Sequence, residues 1–392
     1  MAFDLFRARG DTPACEDVLH FNNAGSSLPP RCVVEAQTAH LELEARIGGY
    51  EASDREQAKW ERAYDAVAAL IGCDRSEVAV VENATRAWDM AFYAVPLKRG
   101  DRVLTARAEY VSNYLAMLQI AGKSGASVEV VPSDADGALD LEALRRMVDD
   151  RVKLVCVTHA AGNGGLVNPV EDIGRIVRQQ SGALFLVDAC QSAGQLPLDV
   201  DRIQADMLSA TGRKFLRGPR GVGFLYVRRS VLGALEPPFV DLHAAHWTSA
   251  QHYEWREDAR RFENWETNYA SKIGLAVAVD YALEWGMEAI SARTLGLAAL
   301  LRERLAELRG VTVRDIGRVK SGICTFTVEG KDAFAVRDAL RARAVNTSVS
   351  TIEAARLDFE ARGLSQMVRA SVHYYNSEDE VDRFCRELER CV

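Results

Sequence analysis

Between about residue 60 and residue 230, short unbroken apolar runs alternate with stretches whose apolar positions recur every three or four residues. The runs at Val78 to Val81, Arg102 to Thr105, Ser127 to Val131, Lys153 to Val157, Ala183 to Val187 and Gly223 to Val227 predict strands, and the stretches between most of them predict amphipathic helices. That alternation is the pattern of a parallel or mostly parallel sheet covered by helices. Past Ala270 the pattern changes. Two helices divided near Gly286 lead to strands at Val311 to Arg314, Ile323 to Val328, Val345 to Val349 and Met367 to Val372, and a helix from Glu378 to Arg390 follows. No repeat, low-complexity tract or Gly/Ser linker interrupts the chain, so its parts are expected to pack together. The expected division is an arm over 1–20 packed with the smaller region, a large α/β region over 21–270, and a smaller α+β region over 271–392.

Composition narrows the class. The chain has 392 residues, 48% of them hydrophobic, enough for a large core and usually for two domains. A net charge of -8 provides no basic surface, so no nucleic-acid partner is expected. The cysteines at 15, 32, 73, 156, 190, 324, 385 and 391 form no CxxC pair. Neither a zinc site nor a disulfide framework is expected, and a reducing cytoplasm suits them. Cys190 and Cys324 read as core. His243, His246 and His252 share one stretch without carboxylate or thiolate spacing, which does not suggest a metal. The start, Met1 to Arg7, has no cationic segment followed by an apolar one, and no run approaches the ~20 apolar residues that span a bilayer. No membrane association is expected.

The chemistry concentrates at strand ends. Asp188 closes the apolar run Ala183 to Val187, and ligands of parallel sheets lie beyond the carboxyl ends of strands. Lys214 follows within Ser209 to Phe215, among hydroxyls and a guanidinium. An amine able to form a Schiff base beside phosphate donors, together with a carboxylate for a pyridine nitrogen, suits pyridoxal phosphate. Past Val81, Glu82 to Trp88 starts a helix with Asn83 or Thr85 as cap; its free N–H groups suit a phosphate, and Thr85 and Arg86 are the candidate ligands. Asn163 and Gln191 lie past two other strand ends, where they are candidates for the cofactor's 3-oxygen. A substrate carboxylate is best held by a bidentate arginine, and Arg369 is the candidate, although its strand alternates in a way that equally suits a solvent-facing position.

Four stretches, Phe21 to Pro30, Val187 to Gln191, Thr211 to Gly221 and Val368 to Asn376, are similar to the class V aminotransferases, pyridoxal phosphate enzymes of fold type I. The resemblance runs nearly the whole chain, and the block around Lys214 is its most specific part. It implies an α/β fold with a mostly parallel sheet in the large domain, a smaller α+β C-terminal domain, and a homodimer whose partner loop, here Phe262 to Asn268, completes each site. It adds Thr211 and Arg213 as phosphate ligands. It also implies a flat side chain stacked on the cofactor from the Ala108 to Tyr114 segment; with no histidine there, Tyr110 is the candidate, with Val111 as the alternative for that position. His159 is either near the site or a packing histidine.

The group includes desulfurases, a selenocysteine lyase, kynureninase, an epimerase and C–S lyases, so the reaction is less defined than the fold. Desulfurases accept sulfur on a mobile cysteine ahead of the carboxylate arginine. Here Ala342 to Gln366 contains no cysteine. Direct β-elimination from a cysteine-derived amino acid is therefore expected, with transamination, epimerisation and a non-catalytic binding role as alternatives. Arg46 to Ala52 resembles lyases that cleave a cysteine sulfoxide in ergothioneine formation, and Trp247, Tyr253 and Trp255 are aromatics that either face a cationic substrate or simply pack.

Overall fold

The computed structural model describes residues 3–391. Its large region is built on seven strands: β1 (Val78–Val81), β2 (Arg102–Ala106), β3 (Ser127–Val131), β4 (Val152–Thr158), β5 (Leu184–Asp188), β6 (Met207–Thr211) and β7 (Gly223–Val227). Their order across the sheet is β1-β7-β6-β5-β4-β2-β3. Every neighbouring pair is parallel except those made by β7, which is antiparallel to both β1 and β6. Helices on both faces bury the central strands, which is why β5 reads as one continuous apolar run. The register sets Thr158 beside Asp188 and Asp188 beside Ser209, so β4 and β5 finish level and β6 runs two residues further.

The sequence pattern did not predict β6. Ser209 and Thr211 interrupt its apolar run, yet both are buried in the sheet. The expected strand Val345 to Val349 is split between two partners. Val345–Asn346 pairs in parallel with Leu19–His20 of the amino-terminal arm, whereas Ser348–Thr351 joins the small sheet. That sheet comprises β8 (Val311–Val313), β9 (Ile323–Val328), β10 (Ser348–Thr351) and β11 (Gln366–Ser371), in the order β8-β9-β11-β10 with every pair antiparallel. Helices Met287–Glu307 and Glu378–Glu389 close its core around Leu301, Phe326, Val368 and Phe384.

Helix Tyr269–Trp285 packs on Arg31–Ile47 and Gln57–Ile71 of the large region, and the chain breaks at Gly286, whose φ of 83° permits the sharp exit. The arm over residues 3–20 touches both regions: the Asp11 carbonyl accepts the Arg31 N–H at 2.8 Å, and Arg9 pairs with Glu380. The stretch bearing Trp247 and Tyr253 forms a hairpin, Ala245–Ser249 against His252–Trp255, with Trp247 81% exposed. Among the described residues no helix is long and apolar enough to cross a membrane.

Candidate active site

The carboxyl ends of β4, β5 and β6 open into a cavity of about 360 Å³, bordered on its other side by Val349, Ala354 and Arg369 of the small region. Thr85, Tyr110, Asn163, Asp188, Gln191, Thr211, Arg213, Lys214 and Arg369 all line it. Residues scattered over almost 300 positions of sequence thus meet around one hollow.

Asp188 sits at the floor. Its Oδ1 accepts the Cys190 N–H at 2.8 Å and its Oδ2 accepts Asn113 Nδ2 at 2.8 Å. Burial pushes its proton affinity up, and those two hydrogen bonds and the nearby Lys214 charge act against that rise. Lys214 is buried in the turn after β6. Gly194, with a φ of 93°, lets the turn after β5 lie directly on the Phe215 to Leu216 backbone; a Cβ there would fall 2.2 Å from the Phe215 carbonyl carbon. The two turns carrying the carboxylate and the amine are thereby clamped together.

At the opposite end, helix Ala84–Tyr93 points its amino terminus into the cavity, and Ala84 and Thr85 line it. The first N–H groups of a helix have no acceptor of their own and carry partial positive charge, which suits an anion. Asn83 caps the helix by accepting the Arg86 N–H at 2.9 Å. The structure sets Arg86 apart from the place expected for it. Its guanidinium lies 4.5 Å from the centre of the Phe239 ring and 3.9 Å from Glu82, outside the lining, and its backbone N–H is already used by the cap. Arg213 is the guanidinium that does line the cavity; it donates to the Gly25 carbonyl.

Arg369 reaches across from β11 and donates to the Gly162 carbonyl at 2.9 Å, while its Nε has no partner. Burial and the neighbouring Arg213 charge pull its pKa down to about 10. Gln191 donates to the Ala24 carbonyl at 3.1 Å and leaves its Oε1 unpaired; Asn163 donates to the Ala354 carbonyl at 3.3 Å. Unpaired buried polar atoms around a hollow are what a polar ligand satisfies. A helix terminus suited to a phosphate, a buried carboxylate and a buried amine around one hollow fit pyridoxal phosphate.

Sequence reasoning missed the polar lining residues Asn113, Thr158 and Cys190. Asn113 joins Asp188 to a second buried carboxylate, Glu109, to which the Thr158 hydroxyl also donates. Cys190, expected in the core, instead lines the cavity beyond the end of β5, close to Lys214. His159 lies just outside. Its N–H donates to the Asp188 carbonyl at 2.9 Å, and burial lowers its ring pKa to about 4. His243 bonds Glu263 at 3.1 Å, and His246 and His252 lie on the exposed hairpin.

Comparison with known proteins agrees with this architecture. The family model for aminotransferase class-V matches residues 18–384. A probable cysteine desulfurase of Pyrococcus abyssi is 30% identical over 391 residues, covering 98% of this chain and 96% of its own. The apo structure of a cysteine desulfurase from Thermococcus onnurineus superposes with a TM-score of 0.91 at 30% identity, covering 100% of this chain and 98% of its own. A complex of the cystine C–S lyase C-DES with cysteine persulfide shares the fold, with a TM-score of 0.87 at 24% identity over 96% of this chain and 99% of its own. With its fold and nearly its whole length in common with these proteins, the chain belongs to the aminotransferase class-V family of pyridoxal phosphate enzymes.

Proposed function

We propose that the protein cleaves the carbon–sulfur bond of a cysteine-derived amino acid by β-elimination and releases the sulfur group directly, without a protein-bound persulfide. The observation carrying this reading is the pairing of the Lys214–Asp188–Arg369 cavity with a facing segment that has no thiol. Residues 342–366 contain two short strands, Val345–Asn346 and Ser348–Thr351, a short 3-10 turn and helix Arg356–Arg362. That helix buries Phe359 and pairs Arg362 with Asp358 at 2.8 Å. A desulfurase-type relay needs a cysteine there, and none is present.

When bound, pyridoxal phosphate supplies the electron sink that makes a substrate carbanion accessible. The chain supplies the rest. The helix terminus with Thr85, Thr211 and Arg213 would hold the phosphate, Tyr110 the ring face, and Asn163 or Gln191 the 3-oxygen. Asp188 would keep a proton on the heterocycle nitrogen, and Lys214 would anchor the cofactor and move the Cα proton. Arg369 would orient the substrate carboxylate. Overall, a thioether R–S–CH2–CH(NH3+)–COO− and water give R–SH, pyruvate and ammonium.

The amino-acid substrate is proposed to reach a homodimer in the cytoplasm, where the eight free cysteines stay reduced. In support, the Phe262 to Asn268 loop borders a separate groove of about 850 Å³ carrying half-exposed Trp265 and exposed Tyr50. A cysteine sulfoxide conjugate is the finer proposal. The segment that suggests it, Arg46 to Ala52, borders that groove through Gly49 and Tyr50 and not the Lys214 cavity, so it would meet substrate only across a dimer interface.

The test supplies the purified, cofactor-loaded protein with cysteine, cystine and cysteine sulfoxides and follows pyruvate, ammonium and released sulfur. Elimination yields all three without an amino acceptor. A requirement for a keto-acid acceptor, or racemisation with no product release, would overturn the proposal.

A further inference from the structure

Glu109 is a buried carboxylate, and three of its four hydrogen-bond partners, Tyr110, Asn113 and Thr158, line the cavity. It accepts from Thr105 Oγ1 at 2.9 Å, from the Tyr110 N–H at 2.9 Å, from Asn113 Nδ2 at 2.9 Å and from the Thr158 hydroxyl. The same Asn113 nitrogen donates to Asp188 Oδ2 at 2.8 Å. A side-chain amide nitrogen has two hydrogens, so this one is fully used as a bridge between two buried acids. Four segments converge on that bridge: the end of β2, the start of helix Val111–Ser124, and the ends of β4 and β5.

Nothing in packing alone requires a second acid at this point. An apolar side chain of similar volume would avoid desolvating a charge, yet the chain places Glu109 one amide away from the carboxylate expected to face the cofactor. Resting on the cofactor role read for Asp188, we propose that Glu109 is a positioning residue: through Asn113 it orients the Asp188 carboxylate, and its own charge sets how firmly Asp188 holds the proton on the heterocycle nitrogen.

The surroundings make that charge variable. Burial, with the Asp188 charge in support, pushes the Glu109 pKa up to about 7 against its four hydrogen bonds. The titratable groups facing it are Asp188 from β5, Cys156 from β4, the adjacent Tyr110 and, across a small shared hollow, Asp358 of the small region, itself paired with Arg362. Lys214 is the cation beyond Asp188. Ionised Glu109 adds negative charge that favours a protonated heterocycle; protonated Glu109 withdraws it.

The test reads the visible absorbance of the cofactor-loaded protein, without substrate, from about pH 5.5 to 8.5, bracketing the expected transition. The wild type should show a spectral step near neutrality. Glu109→Gln keeps an acceptor for Asn113 but cannot ionise, so it should lose that step and resemble the wild type at low pH across the range. Asn113→Ala breaks the bridge and should weaken pyridoxal phosphate retention roughly 10-fold or more, the loss expected for a hydrogen bond to a charged acceptor. A Glu109→Gln titration identical to wild type, or undiminished cofactor affinity in Asn113→Ala, would overturn this inference and leave the lyase reading standing. A wild type that takes up no cofactor would sink both. Should Glu109→Gln fail to fold, the Asn113→Ala measurement decides.

Discussion

Arg217 donates to the Tyr374 hydroxyl at 2.6 Å, three residues after Lys214 and at the junction of the two regions. Among the described residues no carboxylate pairs with this buried guanidinium. It is held by the Leu28 carbonyl at 2.9 Å, by the Thr12 hydroxyl, and by the rings of Tyr375 and Tyr374 at 4.5 and 5.0 Å. Its backbone lies at a φ of 59°, and its N–H closes a turn onto the Lys214 carbonyl at 2.9 Å. The side chain therefore ties the arm, the lysine turn and the small region together. A lysine keeps the charge but not the planar fork that reaches all three, so Arg217→Lys should lose roughly 2–4 kcal/mol of stability. Urea unfolding followed by circular dichroism measures the loss, which should be accompanied by poorer cofactor retention.

Arg369 lines the cavity, makes one bond to Gly162 and leaves its buried Nε without a partner. A role in carboxylate orientation requires two parallel N–H donors, which lysine lacks. Arg369→Lys should raise KM about 100-fold with kcat changed far less, since lost ground-state binding appears chiefly in KM. Steady-state kinetics on a cysteine-type substrate checks this. A kcat that falls while KM stays fixed would instead assign Arg369 to the chemical step.

Much of this arrangement was legible in the chain because chemistry-bearing residues sit where apolar runs stop. Asp188 ends one such run and Lys214 stands in a glycine-bounded turn, so each announces itself locally. Glu109 does not. Beside Tyr110 it looks like any polar turn residue until Thr105, Asn113 and Thr158 converge on it from three segments. β6 was hidden for a related reason: Ser209 and Thr211 break its apolar pattern, although a parallel sheet covered on both faces tolerates small hydroxyls. Arg86 was misplaced because a helix start attracts anions through its backbone, and the Asn83 cap had already taken the Arg86 N–H. Cys190 read as core because its position just past the strand end could not be separated from the strand itself.

That position makes Cys190 the cavity thiol closest to Lys214, and it sharpens the proposal of direct sulfur release. Burial raises its pKa, so it stays mostly protonated at neutrality and is a weak nucleophile. Cys190→Ala should retain sulfide and pyruvate formation within about threefold of wild type, a change smaller than the loss of any acid–base group. Intact-mass analysis of the wild type quenched during turnover should show no species heavier by one sulfur atom. Accumulation of such a species that disappears in Cys190→Ala would replace direct release with a relay through this residue.

Stability at acid pH should depend on one buried ion pair outside the cavity. Glu263 Oε2 lies 3.4 Å from Lys272 Nζ, 3.1 Å from His243 Nε2 and 3.0 Å from the Tyr64 hydroxyl, and its Oε1 accepts the Val80 N–H at 2.7 Å. Burial favours the neutral acid, but the Lys272 charge and these donors prevail and hold the carboxyl down to about 2. A depressed folded-state pKa gives stability that is fully present above the ordinary value of 4.5 and is lost as pH falls from there toward about 2. At neutral pH, Glu263→Gln leaves Lys272 buried without its counter-charge and should cost about 3 kcal/mol or more. On acidification the wild type should lose its advantage, because protonating Glu263 reproduces the neutral variant. Urea midpoints for the two proteins should therefore converge as pH falls below 4.5, and parallel curves over that window would show that Glu263 is not the group whose protonation weakens the fold.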